Sequence, residues 1–145
     1  MSNYAYVATR ARSRRSRLLP AEAYNQLLNL EHAEIARYIQ DLEYRREIDR
    51  YGSTLSGADL IETALVDNLA KDIGDFLSFS KGKLRDILHV YAEKYRVDNL
   101  KNIIRGINQN MDRQNLERLV CPINDSDKDL YLSLIHISEP TRPRL

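Results

Sequence analysis

Apolar residues recur along most of this chain with a period near 3.6, and the pattern predicts a succession of helices. From about Asn3 to Leu18, the residues Tyr4, Val7, Ala11 and Leu18 share one side of a helical wheel, a narrow seam bordered by Arg14 and Arg15. Pro20 suits the first turn of a short second helix ending near Leu30, because its missing N–H has no helical acceptor to lose there; Tyr24, Leu27 and Leu28 form its apolar face. A third helix, from about Glu31 to Arg46, places Ile35, Tyr38, Ile39 and Leu42 on one stripe, and the stretch YGSTLSG ends it. Ser56 followed by Asp59 resembles a capping box with Asp in place of Glu, opening a long helix whose stripe is Ile61, Leu65, Leu69, Ile73, Phe76 and Leu77. After the turn SKGK, Leu84, Ile87, Leu88, Tyr91 and Tyr95 give the least ambiguous helix of the chain. The periodicity restarts beyond RVDN with Leu100, Ile103, Ile104 and Ile107, and a short piece holds Leu116 and Leu119 before Pro122. No alternating run precedes Leu132, so the expected fold is all-α.

Composition agrees with this. The 145 residues suffice for one modest domain, and 43% hydrophobic with 30% charged residues, 5 Gly, 4 Pro and no Trp describe a soluble, helix-rich chain. A single cysteine, Cys121, cannot form an internal disulfide, and the opening MSNYAYVATRAR lacks the apolar core of a secretory signal, which points to the cytosol. No apolar run approaches the 18 or so residues that span a bilayer, so any membrane connection is expected to be indirect. The net charge of +1 conceals blocks: five arginines and no acid in residues 1–20, twelve acids against five bases in 21–80, and seven bases against three acids in 81–110. Such blocks suit helices that dock on oppositely charged surfaces, although solvated faces are the plainer account.

Candidate chemistry is sparse. His32, His89 and His136 are far apart and none belongs to a ligand pair, and His89 between Leu88 and Val90 reads as a core-edge residue. SKGKL lacks both the spacing of a phosphate loop and a strand before it. DSDKD, Asp125 to Asp129, imitates the start of a calcium loop, but Leu130 stands where the turn needs Gly and His136 where a bidentate Glu belongs. Cys121 has no basic neighbour to lower its pKa and reads as an idle thiol. The remaining sharp feature is the run RARSRRSR, from Arg10 to Arg17, which could clamp phosphates or acidic side chains. The residues thus imply no enzyme, cofactor or metal, and the run admits a helical nucleic-acid-binding adaptor as the alternative function.

Three stretches in order carry a family resemblance: YAYVATRARSRRSRLL, then a tyrosine with a Leu-Leu pair followed by EIARYIQDLEY, then YRVDNLKNIIRG. Together, over about residues 4–122, they are similar to the C subunits of the archaeal and V-type rotary ATPases, homologues of the eukaryotic d subunit. The resemblance implies the first part of a longer, three-domain helical funnel. It also implies a non-catalytic component on the cytoplasmic face of the membrane, coupling the central-stalk rotor shaft to the proteolipid ring for proton or sodium transport. Its partners would be the shaft and ring proteins, with no nucleic acid and the membrane touched only through the ring. Arg10, Arg12, Asp98, Asn99, Lys101 and Arg105 match the family pattern.

The end of the chain departs from this. Leu132 to Ile137 alternates as a strand would, and the eleven residues LSLIHISEPTR, Leu132 to Arg142, equal one reading frame of a transposase adapter common in sequencing libraries. The expectation is a genuine amino-terminal segment, 1–131, fused to a non-native tail, 132–145, that packs poorly on the rest. Apolar surface left open on the first helix and on NLKNIIRG should then favour self-association.

Overall fold

A computed structural model describes residues 3–137, and among them there are eight helices and no strand. Two long helices, α5 (Gly57–Phe79) and α6 (Lys83–Asn108), form the spine. The turn between them relies on Gly82, whose φ of 58° is open to glycine at little cost. Before the spine come α1 (Tyr4–Arg15), α2 (Ala21–Leu27), α3 (His32–Gln40) and α4 (Arg45–Tyr51); after it come α7 (Arg113–Arg118) and α8 (Asp125–Ile137).

Three apolar clusters lie along the spine. Ala36, Ile39, Ile48, Leu60 and Ala64 join α3 and α4 to the first half of α5. Ile73, Leu77 and Ala92, with Ile123 from the loop before α8, join the end of α5 to the start of α6. Ile103, Leu116, Tyr131 and Ile135 join the second half of α6 to α7 and α8. The two long helices therefore bury each other in the middle cluster.

The structure corrects several expectations. The helix predicted over 31–46 is two helices with a turn between. Ile39 and Ile48 are nine residues apart, which at 100° per residue puts them on opposite sides of a straight helix, yet both enter one cluster, so the chain must bend. The interruption expected at RVDN is missing and α6 runs through it. That stretch has no Pro or Gly, and the Asn99 side chain makes its hydrogen bonds away from its own helix. On α5 the buried stripe is Leu60, Ala64, Ala70, Ile73 and Leu77, leaving the predicted Leu65 and Leu69 at 40% and 44% exposure. Ser56 makes no side-chain cap; the reach-back bond belongs to α3, where the Glu34 carboxylate accepts from the Glu31 N–H at 2.9 Å.

The seam predicted on α1 is largely open. Val7 is its one buried residue, while Tyr4, Ala11 and Leu18 are exposed. On α2, Ala23 is buried while Tyr24 and Leu28 lie outside. The tail also differs from expectation. Leu132–Ile137 is not loosely packed: it completes α8, and Ile135 is 1% exposed inside the third cluster. The rest of the predicted tail, 138–145, lies outside the described residues.

Candidate interaction surface

Helix α1 is attached to α5 chiefly by polar contacts. The Arg14 guanidinium spans two carboxylates one turn apart on α5, Asp72 and Asp75, the latter at 2.6 Å, and lies 5.2 Å from the Phe76 ring centroid. Burial alone lowers the Arg14 pKa, but the hydrogen bond to Asp75 and the charge of Asp72 more than compensate, so it is raised from its ordinary value. Arg10 lies over the rings of Tyr6 and Phe79, at 5.3 and 5.1 Å, and its Nε donates to the Tyr6 hydroxyl at 3.1 Å. Asn3 closes the end: its Nδ2 donates to the Phe79 carbonyl at 2.7 Å and its Oδ1 accepts from the Lys81 N–H at 3.0 Å. Arg17 pairs with Glu43 at 3.1 Å. Three members of the arginine run are thus engaged inside the chain, while Arg12 and Arg15 are exposed.

The second polar assembly surrounds Asn99. Its Nδ2 donates to the Cys121 carbonyl at 2.8 Å and its Oδ1 accepts from the Cys121 N–H at 3.1 Å, so one amide side chain holds the loop before α8 as a strand partner would. From the other side, α5 presents Gly74, where a Cβ would stand 2.9 Å from the Ile123 carbonyl oxygen, closer than atoms can pack. Arg96 binds Asp127 at 2.9 Å and anchors the first turn of α8. Cys121 is half-buried with its Sγ donating to the Val66 carbonyl at 3.1 Å; burial and the charge of Asp67 push its thiol up to about 12.

The six family-pattern positions do not converge. Arg10 and Arg12 lie on α1, Arg10 over Phe79 at the end of α5, whereas Asp98, Asn99, Lys101 and Arg105 begin about 22 Å of helix from the start of α6. Asn99 is buried and structural, Asp98 and Lys101 pair at 3.5 Å on the surface, and Arg105 is exposed. Sequence reasoning missed the partners of Arg14 and Arg96. The Asp72/Asp75 pair at i, i+3 facing an arginine block was the available signal; nothing local marked Asp127. Among the described residues, no cluster of three His, Cys, Asp or Glu is disposed to hold a metal. No described helix is long and apolar enough to cross a membrane.

The geometry is that of an all-helical assembly segment whose charged residues fasten helices together. Sequence comparison says which kind: the profile of the ATP synthase (C/AC39) subunit family matches residues 7–140, and the chain belongs to that family. It is 38% identical over 138 residues to the A-type ATP synthase C subunit of Haloferax volcanii, covering 95% of this chain and 40% of that protein. The corresponding protein of Archaeoglobus fulgidus is 36% identical over 132 residues, 91% of this chain and 39% of that protein. That of Haloquadratum walsbyi is 43% identical over 106 residues, 73% and 30%. The chain thus spans about 40% or less of the length of these relatives. No solved structure matches it.

Proposed function

We propose that this chain is the amino-terminal part of a non-catalytic coupling component in an archaeal or V-type rotary ATPase. In this reading the whole protein sits on the cytoplasmic face of the membrane, attached peripherally, and joins the central rotor shaft to the proteolipid ring. Torque then passes between ATP chemistry in the complex and proton or sodium movement through the ring. The family match over residues 7–140 carries the reading. The described helices support it in kind, offering polar and apolar surfaces to partners. Within the reading, Arg12, Asp98, Lys101 and Arg105 are exposed and available to partners, Arg10 is held by its aromatic neighbours, and Asn99 shapes the scaffold. We further infer that 132–145 is a non-native tail, with α8 extended by adapter-encoded residues that happen to supply Ile135 to the core and to fall within the last nine residues of the profile match, the family evidence resting on what precedes them. Reading the source locus past the Tyr131 codon decides that point.

The functional test uses a rotary complex stripped of its own C subunit. The uninterrupted product of the source locus is expected to restore ATP-driven ion pumping, and the 145-residue chain to compete with it for the complex without restoring pumping. Failure of both to bind shaft or ring proteins overturns the proposal. So does tight binding of the chain to duplex or single-stranded nucleic acid that weakens steeply with salt, the behaviour of an arginine-run adaptor.

A further inference from the structure

Helix α6 has two faces of opposite character set by one heptad. Ala92, Asn99 and Gly106, seven residues apart, are buried and form the inner row. The outer row, also at intervals of seven, is Val90, Val97 and Ile104, at 74%, 46% and 58% exposure, with Ile87 and Tyr91 beside it at 61% and 53%. In heptad terms the outer residues fill successive d positions, and the intervening a positions are Ile87, Lys94 and Lys101. An apolar strip from Ile87 to Ile104, opposite the packed side of the helix and interrupted by lysine at two a positions, has the spacing of a two-helix seam.

The two lysines decide what fits the seam. Among the described residues Lys94 has only a ring contact, its Nζ 5.9 Å from the Tyr95 centroid, and Lys101 has only the long surface pairing with Asp98. As a whole, α6 carries six bases and three acids, two of which, Glu93 and Asp98, are already paired within the helix. A second copy laid on this strip would bring four seam ammonium groups together, so self-pairing is opposed by charge. A helix bearing carboxylates at those points removes the conflict.

We propose that the outer face of α6 is a docking strip for a single amphipathic helix of a partner polypeptide, apolar along its own seam and carrying Glu or Asp where it meets Lys94 and Lys101. This inference rests on α6 alone and stands apart from the coupling function, so each fails separately.

Two synthetic helices of about three heptads serve as probes, both with Leu at a and d, one with Glu and the other with Lys at the flanking positions. Fluorescence anisotropy against the 145-residue chain should show the glutamate helix binding at least about tenfold more tightly at low salt. Lys94→Glu with Lys101→Glu should invert that preference, and Val97→Asp should abolish binding. Val97 is 46% exposed, so the variant's helical circular dichroism should be unchanged. Equal affinities, no binding of either probe, or binding that survives Val97→Asp would overturn the proposal. A dimer that Val97→Asp dissociates and the glutamate helix does not would assign the strip to a second copy instead.

Discussion

Around Ala36, Ile39, Ile48, Leu60 and Ala64, helices α3, α4 and α5 meet through apolar side chains, and the buried polar group on α4, Glu47, is 3% exposed with its Oε2 unpartnered among the described residues. Around Ile103, Leu116, Tyr131 and Ile135 the buried polar groups behave in the opposite way: Asn99 holds both backbone groups of Cys121, and Asp127 holds Arg96. Apolar area supplies the driving force in both regions, but only the second converts its buried polar atoms into geometry. An unmade hydrogen bond inside a protein costs more than a made one returns. The two ends should therefore respond differently to the same kind of change.

The sharpest way to break the comparison is to open each cavity. Tyr131→Ala should cost about 4 kcal/mol and Ile39→Ala about 3 kcal/mol in urea unfolding. Because the two residues share no cluster, the double variant should equal the sum of the singles within about 0.5 kcal/mol. A large departure from additivity would mean that the ends are not separate. Next in size is Asn99→Ala, which strands the Cys121 backbone groups and should cost about 2–3 kcal/mol; an effect below about 1 kcal/mol would remove the loop-holding role. The first region should answer in the other direction. Glu47→Leu deletes an unpartnered buried carboxyl oxygen and is expected to raise stability by about 1 kcal/mol, read as a higher urea midpoint.

A further effect is confined to alkali. Cys121 rises from an ordinary 9.0 to about 12 in the folded chain, so the folded state holds the thiol proton more tightly than the unfolded state. Its contribution is complete below pH 9 and is lost as pH climbs toward 12, so thermal stability should fall across that window. Tyr44, Tyr51 and Tyr131 are raised chiefly by burial and act in the same direction, so the thiol's share is isolated by Cys121→Ser, which should shallow the decline. An unchanged slope would show that the thiol does not contribute.

Periodicity makes α5 legible as a helix and α6 legible as two helical pieces, but it misplaces their inner faces: Leu65, Leu69, Ile87 and Tyr91 are exposed, while the small residues Ala64, Ala70 and Ala92 are buried. It gives no warning of the α3–α4 bend, since Ile39 and Ile48 meet only after the chain turns, a fact of tertiary packing. At the tail, six alternating residues fit a strand and a helix equally, and the i, i+4 pair Tyr131 and Ile135 is the helical signal within reach of them. The polar fastenings are the least legible part. Asn99 stands out by family pattern with no role attached, and Arg14 groups with its neighbours as a charged border, because nothing in a linear run distinguishes an arginine that finds two carboxylates from one that faces water.

The attachment of α1 has a consequence for motion. With Val7 as its one buried residue and Arg14 as its main tether, this helix draws little cohesion from apolar area and much from an ion cluster. Its backbone amides should be the first of the helical set to exchange with deuterated solvent, opening as a separate unit while α5 and α6 stay protected. At about 1 M salt, where charges are screened beyond roughly 3 Å, that opening should become more frequent. Ionic strength would then act as a dial on the amino-terminal helix, releasing it from the spine without melting the cores beneath.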